Sequence, residues 1–121
     1  MPTANPTPTT WLDELNHQRW LDDGFAKILR FALRSVRPAG GFHYLDGDGL
    51  PMPDRSPELF LTARMAWISS AGVRRGVPGS GALLDHAMDS LLGFHWDAEH
   101  EGWFTQPGTE TRKSTYDHVH C

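Results

Sequence analysis

The chain has 121 residues, 39% of them apolar, with five Trp and six Phe. That is the size of one small domain able to build a core. Its formal charge of −4 and its scattered arginines (Arg30, Arg34, Arg37, Arg64, Arg74, Arg75) argue against nucleic acid, which calls for a clustered basic face. The single cysteine excludes an internal disulfide framework and makes a cytoplasmic location the simplest reading. No stretch approaches the roughly 18 apolar residues of a membrane span.

The leader MPTANPTPTT, residues 1–10, has neither a basic n-region nor an apolar h-region. Its Pro/Thr content predicts disorder rather than a signal peptide. Thr10 is placed to cap a helix, with Asp13 in the first turn. Trp11, Leu15, Leu21, Phe25, Ile28, Leu29, Ala32 and Val36 recur at helical spacing. They predict a first helix running to about Arg37, stopped by Pro38, Gly40 and Gly41.

GGFHYLDGDGLPMPD follows. It alternates briefly like a strand around Phe42 and Tyr44, then reads as turns at DGDG and PMP. Ser56-Pro57-Glu58 predicts a second helix start: a cap, a proline at the first helical position and an acid in the first turn. Its expected inner face is Leu59, Ala63, Ala66, Trp67 and Ser70, ending before Gly76 and Pro78. Ser80 opens a third helix with the stripe Leu83, Leu84, Ala87, Met88, Leu91 and Leu92. DAEHEGWFTQPG gives another turn, with a short extended piece at Trp103 and Phe104. Ser114 or Thr115 is placed to cap a fourth helix, YDHVHC.

Two segments echo each other. GGF at 40–42 returns as EGWF at 101–104, and 61 positions separate Gly41 from Gly102. A helix pair lies between them, which predicts an α-helical repeat architecture. Repeat units bury their faces against neighbours, so two copies leave a face uncovered and open to self-association.

Several polar clusters invite chemistry. Asp46, Asp48 and Asp54 could supply the paired acids of a glycosidase, but Asp and Gly together are the residues of tight turns. An EF-hand loop would need a glutamate at its twelfth position, which is missing. At the C-terminus, Asp117, His118, His120 and Cys121 crowd together. On a strand the two histidines would share a face; on a helix Asp117, His120 and Cys121 group instead. That set lacks a fourth ligand, so no metal site is expected. His43, His95 and His100 fall in or beside loops and are expected to be surface or hydrogen-bonded; His17 and His86 are expected to be structural or exposed. Arg64, inside an apolar stretch of the second helix, is by sequence alone either solvated or functional.

Taken in order, GGFHYLDGDGLPMPD, ELFLTARMAW, LLDHAMDSLL, EGWFTQ and KSTYDH resemble the N-terminal part of the N-acylglucosamine 2-epimerase superfamily. The likeness is greatest to its mannose isomerase and sulfoquinovose isomerase branch. The resemblance implies an (α/α)6 barrel, six helix pairs around a central pocket. Residues 11–121 would then be an all-α portion of it, about two helix pairs. It also implies sugar isomerisation or 2-epimerisation by histidine proton transfer, with a monosaccharide as the binding partner and no cofactor or metal. By the same resemblance, Arg64 of TARM matches a pocket arginine and Tyr116 of TYDH a tyrosine that hydrogen-bonds the sugar. Phe60 stands where an aromatic residue lines the pocket, keeping stacking ability but no indole N–H. None of the seven histidines takes the place of the family's catalytic ones, so no catalytic residue is assigned. The chain is expected to be an N-terminal fragment, inactive alone. A small helical interaction module and a glycosidase fragment are the alternatives.

Overall fold

The computed structural model describes residues 10–121, so the expected disordered leader falls, apart from Thr10, outside the described residues. Four α-helices make up the frame: α1 (Leu15–Ala32), α2 (Leu59–Arg74), α3 (Ser80–Asp89) and α4 (Thr115–His118). Among the described residues no strand forms; the extended pieces reduce to three isolated antiparallel bridges. The fold is all-α, as the helical spacing predicted.

The first predicted helix is real but shorter than its apolar pattern. Thr10 caps a separate 3-10 turn, Trp11–Asp13, where its N–H and hydroxyl both donate to the Asp13 carboxylate at 3.2 and 2.7 Å. The α-helix begins only at Leu15 and gives way to a 3-10 turn at Leu33–Ser35. Its end is set by tertiary pairing: the Ser35 carbonyl accepts the His43 N–H at 2.7 Å, so it cannot continue the helical ladder.

The second helix also starts later than its sequence signal. Pro57 lies buried just outside it, and Glu58 is extended (φ −110°, ψ 143°) as the capping residue. The first helical N–H, that of Leu59, donates to the Thr105 carbonyl at 3.0 Å. The distant loop thus satisfies a group that the Ser56 cap would have served; the Ser56 hydroxyl pairs with Thr109 instead, at 2.9 Å. α2 buries Leu59, Thr62, Ala63, Met65, Ala66, Ser69 and Gly72. Trp67, expected on that face, is 74% exposed because it lies on the side turned away from α3.

α3 starts at Ser80, as predicted, and packs along α2. Leu83, Ala87 and Leu91 of its stripe are buried, whereas Met88 and Leu92 face outward. The helix loosens into a π segment, Ser90–Phe94, closed by the His95 N–H donating to the Ser90 carbonyl at 2.9 Å. The core is Leu29, Phe42, Leu59, Ala63, Met65, Ala66, Leu83, Ala87 and Leu91. Apart from Leu29, α1 buries nothing; Trp20 and Ile28 are exposed on it, so an apolar face is left uncovered as the repeat pattern implied.

The two glycine–aromatic segments are the same device used twice. Val36 pairs with Phe42, and Trp96 with Trp103. In the first loop Arg37 N–H donates to Gly41 O (3.2 Å) and His43 N–H to Ser35 O (2.7 Å). In the second, Asp97 N–H donates to Gly102 O and Phe104 N–H to His95 O, both at 2.8 Å. Gly41 and Gly102 both take left-handed backbone (φ +72° and +85°), which only glycine adopts without strain. α3 and the π segment after it clamp the first loop: Ser90 Oγ accepts from Gly41 N–H at 2.9 Å, and His86 Nε2 donates to Gly41 O at 2.8 Å. Asp46 Oδ1 accepts the N–H groups of Asp48 and Leu50, both at 2.9 Å, so DGDG is turn chemistry. In the second loop Lys113, 2.7 Å from Asp97, holds that carboxyl down at about 2, helped by the His100 and Glu99 N–H groups.

His95 is fully buried at the centre of the second loop. Its Nδ1 faces the Phe104 carbonyl at 3.2 Å and its Nε2 faces Thr62 Oγ1 at 2.9 Å. A carbonyl only accepts, so Nδ1 carries the proton and Nε2 accepts from the Thr62 hydroxyl. The histidine expected at the surface or in a hydrogen bond is therefore a neutral tie between α2 and the loop before α4.

Two predictions follow from this packing. A methyl group on Gly72 would collide with Leu29 Cδ1 and Ser80 Oγ where α1, α2 and α3 meet, whereas one on Gly24 meets nothing within 4 Å. Gly72→Ala is expected to cost roughly 1–3 kcal/mol, and Gly24→Ala to stabilise by up to about 1 kcal/mol; paired thermal melts check both signs. Burial lowers the His95 pKa, against weaker opposing pulls from the Phe104 carbonyl and Asp117. The unfolded chain then binds that proton more readily, so stability is full above the ordinary histidine pKa of about 6.5 and falls as pH drops through the lowered value. Denaturant titrations between about pH 7.5 and 5 should show this slope, and His95→Asn should be less stable overall with a shallower slope; equal slopes would refute the assignment.

Candidate functional site

Helix α2 carries two side chains away from the core on neighbouring positions. Phe60 and Arg64 stand four residues apart, one helical turn, so they share a face. The Arg64 guanidinium lies over the Phe60 ring, 5.1 Å from its centroid, within cation–π range. Helix α4 reaches this face. Ser114 caps it by accepting the Asp117 N–H at 3.4 Å, and the turn sets Tyr116 outward. Arg64 Nη2 donates to the Tyr116 hydroxyl at 3.0 Å, and the Tyr116 ring meets Phe60 edge-on at 6.4 Å. Arg64, Tyr116 and Phe60, from segments half the chain apart, therefore form one cluster.

Beside them is an open groove of about 470 Å³ lined by Ala63, Arg64, Trp67, Ile68 and His120. Its walls are apolar except for Arg64 and His120. Trp67 explains itself here: the ring that the helical pattern assigned to the core lines the groove. Arg64 is exposed and Tyr116 is 57% exposed, so their polar groups are accessible to a ligand.

The approach of α4 to α2 depends on buried polar ties. Asp117, only 3% exposed, accepts from Thr105 Oγ1 at 2.7 Å, and the Thr105 carbonyl holds Leu59 at the head of α2. A second set ties the loops to the same helix start. Tyr44 donates its hydroxyl proton to Glu58, whose other oxygen accepts from Gln106 Nε2 at 3.0 Å. Burial, reinforced by that carboxylate, pushes the Tyr44 hydroxyl up to about 12, which keeps it a donor.

The C-terminal cluster takes the helical alternative and is dispersed by it. His118 Nδ1 donates to Ser114 O at 2.8 Å and its Nε2 accepts the Trp103 N–H at 3.1 Å, so both nitrogens are occupied. Asp117 turns its carboxylate inward to Thr105, and forms no shared ligand set with His120 and Cys121, with which helical spacing groups it. Cys121 is exposed, and its thiol donates to the Asp117 carbonyl oxygen at 3.6 Å. Among the described residues no group of three or more His, Cys, Asp or Glu side chains is placed to hold a metal ion. His120 alone of the pair reaches the groove. Sequence reasoning passed over it, and the i to i+4 spacing from Tyr116 was the available signal.

Residues 40–121 match the family model for N-acylglucosamine 2-epimerase (GlcNAc 2-epimerase). The chain is 36% identical to a D-mannose isomerase of Thermobifida fusca, over 92% of this chain and 28% of that protein. It is 34% identical to a D-mannose isomerase of Pseudomonas cannabina pv. alisalensis, over 98% of this chain and 29% of that protein. It thus spans under a third of the length of these relatives. The two helix pairs with their repeated glycine–aromatic loops are part of an (α/α)6 barrel, and the chain belongs to the N-acylglucosamine 2-epimerase family.

Proposed function

We propose that the groove beside Arg64 is part of a monosaccharide site in a sugar isomerase or 2-epimerase, with aldose–ketose interconversion of the mannose–fructose kind as the reaction. The observation that carries this reading is the convergence of Arg64, Tyr116 and Phe60 on one exposed cluster. A sugar presents hydroxyls on its edges and C–H groups on its faces. Arg64 and Tyr116 offer donors for the former, and Phe60 and Trp67 offer aromatic surface for the latter.

In such a reaction a base removes the proton beside the carbonyl of the opened sugar, and negative charge builds on the carbonyl oxygen. Arg64 is always charged and has several N–H groups free to face that oxygen, which suits stabilising an enediolate-like intermediate. Tyr116 positions the guanidinium and can pass its own hydroxyl proton into a hydrogen bond with the sugar. The proton transfers fall to histidines for which the resemblance finds no counterpart among these 121 residues. The chain by itself therefore binds without turnover. The printed names of the two relatives favour mannose as the first sugar to try.

Calorimetry or NMR titration of the purified chain with D-mannose should show weak binding, on the order of millimolar. Arg64→Ala should weaken it about tenfold or more, and Tyr116→Phe by a smaller factor. Mannose–fructose turnover by the 121-residue chain, lost on Arg64→Ala, would overturn the claim that it binds without catalysis.

A further inference from the structure

We propose that His118 is a positioning residue: by tying the first turn of α4 to the second glycine–aromatic loop, it sets Tyr116 against Arg64. This rests on the reading of the Arg64 cluster as part of a monosaccharide site. His118 is half-buried, and both its ring nitrogens are engaged. Nδ1 lies 2.8 Å from the Ser114 carbonyl oxygen, which also takes the His118 backbone N–H at 3.1 Å. A carbonyl oxygen only accepts, so Nδ1 carries the hydrogen. A neutral imidazole has one such hydrogen, so Nε2 keeps its lone pair, and the Trp103 N–H donates to it at 3.1 Å. The donor of that bond is backbone, so the tie fixes the chain of the loop and not merely a side chain.

The loop end of the tie is itself held. Trp103 pairs with Trp96 across the loop, the two rings meet edge-on at 5.1 Å, and the Trp103 indole N–H donates to Leu91 O at 2.9 Å. The extended backbone then alternates. Phe104 turns its N–H and carbonyl to His95, while the Trp103 N–H and the Thr105 hydroxyl meet the adjacent residues His118 and Asp117. Residues two apart on a helix point roughly 200° apart. With His118 anchored to the loop, Tyr116 is directed to the opposite side, toward α2, where Arg64 Nη2 reaches its hydroxyl at 3.0 Å.

The first loop shows what packing alone needs at this place. A methyl group on Gly102 would come 3.0 Å from His118 Nε2, and one on Gly41 would come 3.0 Å from Pro57 Cβ. Pro57 and His118 are separated by the same 61 positions as the two glycines. A proline ring, with no polar side-chain atom, suffices against Gly41. The histidine adds a hydrogen-bond acceptor, and it does so in the copy whose helix carries Tyr116.

The test uses the 15N-labelled 121-residue chain at about pH 7.5, above the ordinary histidine pKa of about 6.5, with D-mannose as the probe. Long-range proton–nitrogen spectra should show His118 as the Nδ1–H tautomer, with a scalar coupling between Nε2 and the Trp103 amide nitrogen across the hydrogen bond. An Nε2–H tautomer, or absence of that coupling, would overturn the proposal, and neither reading depends on a variant that folds. His118→Phe fills the space of the ring without an acceptor. It should lose the nuclear Overhauser contact between the Tyr116 ring and the Arg64 side chain and weaken mannose binding about three- to tenfold, while the buried His95 tautomer is unchanged. His118→Gln, whose amide oxygen can take the place of Nε2, should recover the contact and part of the affinity. A folded His118→Phe chain that keeps both would reduce His118 to packing and overturn the proposal. Absence of mannose binding by the wild-type chain, with the Tyr116–Arg64 contact still lost in His118→Phe, would remove the sugar reading and leave the positioning role standing.

Discussion

A buried, neutral histidine holds the frame on which the candidate site is built. His95 accepts from Thr62 on α2 and donates to the Phe104 carbonyl in the second glycine–aromatic loop. The next residue, Thr105, accepts the Leu59 N–H at the head of α2 and gives its hydroxyl proton to Asp117 on α4. These four hydrogen bonds therefore fix where α4 lies against α2. A buried polar group without a partner is costly, so each tie constrains the geometry as well as stabilising it. The meeting of Arg64 with Tyr116 is a consequence of this relay, since neither exposed side chain could enforce it alone.

The repeated loop supplies the other constraint. Both copies turn through a left-handed glycine, and both close with the same pair of backbone hydrogen bonds around a bridging pair. The copies differ in what locks them. The first is clamped by His86 of α3 and Ser90 of the π segment after it; the second is closed by Lys113 and Asp97 at its rim and by His95 within. Small residues on α2, with Gly72 the extreme case, allow its neighbours to approach closely. Because one side of α2 is committed to that packing, its other side, with Arg64, Trp67 and Ile68, is left to form the groove wall.

Arg64 presents a fork of N–H groups, and Phe60 and Tyr116 hold that fork in place from two directions. The two histidines of the C-terminal stretch are sorted by what their Nδ1 and Nε2 atoms already bond. His118 spends both on the backbone of its own turn and of Trp103; His120 spends one. This is a difference of environment between two residues of the same type, separated by a single valine.

Local pattern and residue type by themselves determined the all-α class, the start of α3, the turn role of DGDG and the repeat of the glycine–aromatic segments, because these depend on contacts within a few residues or on a repeated local pattern. The resemblance singled out Arg64, Tyr116 and Phe60, which the fold brings into contact with one another. Helix ends were misjudged at Arg37 and Ser56 because distant loop groups, His43 N–H and the Thr105 carbonyl, took over the backbone partners that local capping would supply. Trp67 was assigned to the core because hydropathy records that a residue is apolar, while only the arrangement of α2 against α3 decides which apolar residues are covered. The fates of His95, His118 and His120 were equally out of reach. A histidine's role is set by which atoms face its two nitrogens, and those atoms arrive from other parts of the chain or from the exact turn of a short helix.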